Sequence, residues 1–227
     1  MPESQQGGSQ TPAGNPTTIT FLATAHIAGE LNLLPRLFTL IRQERQKAAG
    51  PVVLLDLGDT CAAEAWICRA TWGRAPFLVL DSMGYDAAII GGPEATPIPP
   101  VSLRLLVDQI LMSIIVWNRP RTLSKGGITF TVAPGTPNVP PAPPVLVVDR
   151  AAPMPPEAGA PPIVGDVPQG CLARVEVAWP QWTVRDAYLL TVDTVTSPDP
   201  TIAAVVGLVE HEARQFAQQQ GDDHEPE

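Results

Sequence analysis

Proline, more than any other residue, limits what this chain can fold into: 27 of its 227 residues are proline, over twice the ordinary share of about 5%. A proline fixes φ and brings no backbone N–H, so each one excludes a helix interior or a central strand at its position. The prolines are unevenly placed. Twelve fall within the 35 residues from Pro134 to Pro168, and four lie between Pro93 and Pro100. Long irregular connections are therefore expected in both spans, with Val145 to Val148 the one strand-like run inside the longer one. Elsewhere the chain can bury a core, since 44% of it is hydrophobic and only 16% charged, too apolar for wholesale disorder. A single domain over 17–219 is expected between a Gly, Ser, Gln and Pro tail at 1–16 and an acidic tail at 220–227.

Between the proline-rich spans, apolar runs alternate with helical periodicity. Thr18 to Ala25 is β-rich, and Leu33, Leu37, Phe38, Leu40 and Ile41 recur at helical spacing up to the basic Arg42, Arg45 and Lys47. Val52 to Leu57 reads as a strand covered on both faces. Helices are expected over Ala62–Ala70 and Pro76–Gly84, strands over Tyr85–Ile90, Leu111–Trp117 and Ile128–Val132, and a short helix over Val101–Asp108. Leu172–Trp179 and Val184–Val192 read as an antiparallel pair joined at Trp179-Pro180-Gln181-Trp182, whose aromatics cover a sheet edge, and the last helix opens at Asp199-Pro200. Strands alternating with helices make an α/β layered fold.

Charge and cysteine content narrow the function classes. With 14 Lys plus Arg against 23 Asp plus Glu, a net charge of −9 argues against a nucleic-acid partner, whose phosphates call for clustered cations. Three cysteines, Cys61, Cys68 and Cys171, without a C-x-x-C, indicate neither a disulfide framework nor a zinc ribbon and favour a reducing compartment. The first 16 residues lack the basic start and apolar core of a secretory signal. The most apolar internal run, Ile110 to Trp117, is far short of the roughly 20 residues that span a bilayer. A cytoplasmic protein without a membrane segment is expected.

The common nucleotide-binding, serine-hydrolase and zinc-protease strings are absent. Of the three histidines, His211 and His224 read as solvent-facing. His26 follows the first strand and Asp59 the second, where α/β folds place ligand loops.

At these residues the chain resembles the calcineurin-like metallophosphoesterases, in their 5′-nucleotidase and cyclic-phosphodiesterase branch. Thr18 to Gly29 (TITFLATAHIAG), Val53 to Thr60 (VLLDLGDT) and Met83 to Glu94 (MGYDAAIIGGPE) are similar to that branch's Asp-x-His-Gly, Gly-Asp-Thr, Gly-Tyr-Asp and Gly-Asn-His-Glu motifs, in order and at about the same spacing. The resemblance implies an αββα sandwich, here reduced and carrying long proline-rich loops. In the family two metal ions are held by an Asp and a His of the first motif, a bridging Asp of the second, an Asn of the third and later histidines.

Here His26 stands at the Asp position, Ala28 at the His position, and Gly92-Pro93-Glu94 where the Asn-His-Glu should be; no histidine lies between His26 and His211. Asp59 alone remains as the bridging carboxylate. Two-metal hydrolysis needs two ions about 3.5–4 Å apart, which one ligand cannot hold. The implied protein is a degenerate, non-catalytic metallophosphoesterase-like domain without a cofactor, acting as a binding or structural protein toward a protein partner or a second copy of itself. The alternative is a weak phosphoesterase acting on nucleotides or other phosphoesters through a single zinc or manganese at His26 and Asp59, with Cys61 as a third donor and Cys61, Gly92 and Glu94 around the pocket. For Asp59 the bland role is capping the next helix or bonding loop amides; Asp56, Glu64 and Asp86 read as structural, solvated or turn-forming.

Overall fold

The computed structural model describes residues 17–91, 98–135 and 144–222. Its central element is β1 (Thr17–Thr24), whose side chains are buried on both faces because the strand lies between two packed layers. Ile19, Phe21 and Ala23 point into one apolar cluster and Leu22 into another, the period-2 alternation of a strand. Around it a six-stranded sheet forms in the order β10-β9-β1-β2-β3-β4. Its members are β2 (Val52–Asp56), β3 (Ala87–Ile90), β4 (Ser113–Val116), β9 (Cys171–Trp179) and β10 (Thr183–Thr191). Strands β1 to β4 are parallel, and β9 and β10 are antiparallel.

Helices cover one face of this sheet. α1 (Leu34–Lys47) starts with Pro35 in its first turn and ends with Arg45 and Lys47 in its last, as a helix dipole prefers. Its inward stripe is Leu34, Leu37, Ile41 and Glu44. α2 (Trp66–Ala70), α3 (Ala75–Ser82), α4 (Pro100–Gln109) and α5 (Pro200–Asp222) share with α1 a core that includes Leu80, Leu106, Ile202 and Val206. Asp199, just before α5, accepts the N–H groups of Thr201 and Ile202 at 3.0 and 3.1 Å, and Arg42 reaches its other oxygen at 2.8 Å. Burial opposes ionisation of Asp199, but the Ile202 amide, Arg42 and the Thr201 amide outweigh it and hold the carboxyl below its usual range. Asp199→Ala should lower stability by about 1–2 kcal/mol. Chemical denaturation would show this above the ordinary carboxylate range, and the difference should shrink as pH falls through the native pKa of Asp199.

A second sheet, in the order β5-β6-β7-β8, packs on the other face. It comprises β5 (Arg121–Lys125), β6 (Ile128–Pro134), β7 (Val145–Val148) and β8 (Ile163–Val164), with β6, β7 and β8 parallel. Between the sheets, Phe21 meets Phe130 edge-on at 5.3 Å and Trp182 stacks near Phe130 at 6.2 Å. Trp182 also donates its indole N–H to the Val145 carbonyl at 2.7 Å. The aromatic corner after β9 thus fills the space between the sheets and does not merely cover an edge. The result is the mixed α/β sandwich expected, reduced in that no helix backs the second sheet among the described residues.

Four local expectations change. Only Trp66–Ala70 of the span Ala62–Ala70 is helical. Ile128–Val132 does not extend the first sheet; it pairs with the polar β5 across Gly126-Gly127 and starts the second. Within the proline-rich span Ile163–Val164 adds a strand, while 136–143 lie outside the described residues. Finally, Cys61 and Cys68 form a disulfide and Cys171 is the free cysteine. The turn at 62–65 doubles the chain back and brings their Cα atoms to 5.8 Å, which the seven-residue spacing alone did not reveal. The cysteine argument for a reducing, cytoplasmic setting therefore falls away. No helix among the described residues is long and apolar enough to cross a membrane.

Candidate functional site

Four parallel strands, two from each sheet, end at one rim of the sandwich. His26 lies two residues past β1 and Asp59 three past β2. Arg150 lies two past β7 and Asp166 two past β8. The rim is where α/β folds gather functional groups. Backbone bonds join the two loops of the first sheet: His26 N–H to Gly58 O at 3.0 Å, and Ala28 N–H to Asp59 O and Gly29 N–H to Thr60 O at 2.9 Å. His26, Ala28 and Asp59 all adopt left-handed φ values of 53–54°, a conformation that costs a non-glycine residue about 1 kcal/mol or more. Such strain concentrates where side chains must be aimed.

The four side chains form one cluster, in which Arg150 also brings a guanidinium nitrogen to 3.1 Å from His26 Nε2. Arg150 brings a guanidinium nitrogen to 2.7 Å from Asp59 Oδ2 and its Nε to 3.5 Å from Asp166 Oδ1. His26 lies between the acids, Nδ1 at 3.1 Å from Asp59 Oδ2 and Nε2 at 2.8 Å from Asp166 Oδ1. Asp59 and Arg150 are only 15% and 16% exposed, so this pair is shielded far more than a surface salt bridge. Asp59 Oδ1 is buried without a partner among the described residues.

Asp59 therefore does not cap a helix. α2 begins at Trp66 with no side-chain cap, and the loop amide of Gly58 is taken instead by Asp56 at 2.8 Å, with Thr60 Oγ1 donating to the same carboxyl at 3.1 Å. Asp56 is fully buried. Burial pushes its pKa up to about 7, against the lowering pull of Gly58 and Thr60 and with a further push from Asp59. The linked sign is that of an acid that is harder to ionise when folded: stability is lost as pH rises from the ordinary carboxylate range through about 7. Asp56→Asn keeps the acceptor for Gly58 and removes the charge. Thermal melts should show the variant about 1–3 kcal/mol more stable than wild type at pH 8, and the difference should vanish near pH 4.

A cation held by several donors is what the family resemblance implies at this rim. The side chains present do not suit one. Among the described residues no three His, Cys, Asp or Glu groups converge on a single point. The oxygen of Asp59 that faces its neighbours already carries Arg150 and His26, while Cys61 is bonded to Cys68 and offers no thiolate. Among the described residues, Asp59 Oδ1 is a buried oxygen of this rim without a partner. The cleft beside it, lined by Thr60, Cys61, Phe77, Ile89, Ile90 and Ile98 among others, holds about 20 Å³, room for one water and far below the roughly 300 Å³ of a small-molecule site. Gly92 and Glu94, expected around this pocket, lie outside the described residues.

Of the sequence-derived candidates, His26 and Asp59 are brought into contact and Cys61 is adjacent but oxidised. Arg150 and Asp166 were missed. Their signal was the one that singled out His26 and Asp59, a polar or charged residue one position beyond the end of an apolar run: Val145 to Val148 precedes Asp149-Arg150, and Ile163-Val164 precedes Gly165-Asp166 as Val53 to Leu57 precedes Gly58-Asp59. Val145 to Val148 reads as strand-like in the sequence, but the prolines around Ile163-Val164 disguise that run as loop. Asp86 has a structural role, accepting the Leu54 N–H at 2.9 Å and Lys125 at 2.6 Å, and Glu64 is exposed.

No family profile and no curated protein matches the chain. Solved structures do. The 5′-nucleotidase precursor from Thermus thermophilus is similar with a TM-score of 0.63 at 11% identity, over 87% of this chain and 59% of that one. The Thermus thermophilus sulfate thiohydrolase SoxB, in complex with glycerol, is similar with a TM-score of 0.61 at 10% identity, over 89% of this chain and 62% of the other. This chain thus spans about three-fifths of the length of each. At such low identity the likeness is one of fold, and the fold is that of the metallophosphoesterase-like α/β sandwich.

Proposed function

We propose that this chain is a degenerate metallophosphoesterase-like domain in which a protein-borne cation, the guanidinium of Arg150, stands where relatives hold metal, and that it serves as a binding or structural protein. The observation that carries the reading is the 2.7 Å contact between Arg150 and Asp59 Oδ2, at the one carboxylate the family motif retains. A guanidinium neutralises the acid as a metal would, but it offers no open coordination position and cannot activate water. The narrow cleft beside Asp59 supports the same reading. The partner is a protein or a second copy of the chain: the net charge of −9 disfavours nucleic acid, and Val101, Leu105, Val107 and Leu111 expose apolar surface on and after α4.

Assays with manganese, cobalt or zinc against nucleotides and simple aryl phosphoesters test the proposal. The expected result is no metal-dependent turnover above that of Asp59→Ala. Clear turnover that disappears in Asp59→Ala would contradict it and favour the one-metal phosphoesterase.

A further inference from the structure

The Cys61–Cys68 bridge sits directly behind the ion-pair cluster. The His26 loop rests on it: a Cβ added to Gly29 would stand 3.0 Å from Cys68 Sγ and 2.7 Å from Ala65 Cβ, so only glycine allows this approach. The same Gly29 bonds to the carbonyl of Thr60 at 2.9 Å. The bridge therefore clamps one side of a loop pair whose other side carries His26 and Asp59.

The clamped segment is short and locally bonded: Ala65 donates its N–H to the Ala62 carbonyl at 3.2 Å, the Ala65 carbonyl accepts from Cys68 and Arg69 at 3.0 and 3.1 Å, and the five-residue α2 that follows has no side-chain cap. On its outer side the bridge borders a cleft of about 210 Å³ lined by Cys61, Cys68, Arg69, Trp72, Ile98 and Pro99. Trp72 is 44% exposed at this cleft, and Arg69 supplies a positive charge that favours a departing thiolate.

We propose that Cys61–Cys68 is a redox modification site, opened by thiol–disulfide exchange with a dithiol reductant entering from this cleft, and that its state sets how firmly the His26 and Asp59 loops are held. A thiolate of the dithiol attacks one cysteine sulfur, forming a mixed disulfide and releasing the other cysteine as thiolate, which takes up a proton. The second thiol of the reductant then displaces the first cysteine. In sum two electrons and two protons pass to the cysteines and the dithiol becomes a disulfide. This holds whether or not the cluster is catalytic, because it is read through thiols and proteolysis.

The experiment uses the full chain purified without reductant. Native alkylation should label Cys171 alone; after dithiothreitol without denaturant it should label all three cysteines, and tryptic cleavage after the exposed Arg69 should become about tenfold faster. The double variant Cys61→Ser, Cys68→Ser should fold and be cleaved at the fast rate with or without dithiothreitol. The proposal is overturned by three reactive thiols before any reductant, by a bridge that yields only after denaturation, by cleavage that reduction leaves unchanged, or by a double variant that does not fold.

Discussion

Glu44→Ala should destabilise the fold by about 3–5 kcal/mol, the cost of stranding a buried charge. Glu44 is fully buried on the inward face of α1. Its Oε2 accepts from Arg174 on β9 at 3.2 Å and from the Tyr188 hydroxyl on β10 at 2.9 Å, while Lys47 reaches Oε1 at 2.7 Å. Arg174 is 5% exposed, so deleting the carboxylate leaves a guanidinium with little access to water. It would keep the Glu44 backbone carbonyl at 3.0 Å and a longer contact to Glu176 at 3.7 Å. Denaturant midpoints would read the loss. Pairing with Arg174→Met should recover part of it, because an apolar replacement of both partners is far less costly than removal of one. Burial opposes ionisation of Glu44, yet Lys47, Tyr188 and Arg174 together hold its pKa below the usual range. Its contribution is therefore present above the ordinary glutamate pKa and is lost as pH falls through the lowered native value.

Arg150→Ala is the second large effect, expected to cost about 2–3 kcal/mol. The side chain sits between two acids at 2.7 and 3.5 Å, and its removal leaves Asp59 with His26 as its one counter-partner among the described residues. The diagnostic part is the response to metal. With the guanidinium gone, the Asp59 carboxylate loses its 2.7 Å cationic partner, and a divalent ion at that carboxylate would restore the lost positive charge. Millimolar manganese or zinc should then raise the melting temperature of the variant by mass action while leaving wild type unmoved. A variant indifferent to metal would argue that the cluster has no memory of a cation site and that Arg150 is an ordinary packing residue.

Much of the fold was legible because its signals are local. The α1 stripe of Leu34, Leu37 and Ile41 repeats at helical spacing, and Asp199-Pro200 opens α5 in the sequence as in the structure. β5 was not legible, because a polar strand such as Arg121–Lys125, half solvated, carries no apolar run. β8 is two residues long and depends on parallel pairing with β7 rather than on propensity. The site divides in the same way. His26 and Asp59 follow strong strands and could be found, whereas Arg150 follows a short strand within the proline-rich span and Asp166 a two-residue strand hidden among prolines, and both are joined to the first pair only by the packing of one sheet on the other. The Cys61–Cys68 bridge depends on the turn at 62–65, which no short motif announces. The prolines that first indicated an interrupted chain thus flank the two strands that deliver Arg150 and Asp166 to the rim.

The central claim is that Arg150 replaces metal at the retained aspartate, and metal content tests it most directly. Wild-type protein would be dialysed to equilibrium against manganese or zinc and analysed for bound ion beside Asp59→Ala. The account predicts that the two proteins retain the same small, substoichiometric amount. A full equivalent of metal on the wild type, lost in Asp59→Ala and in His26→Ala, would contradict it.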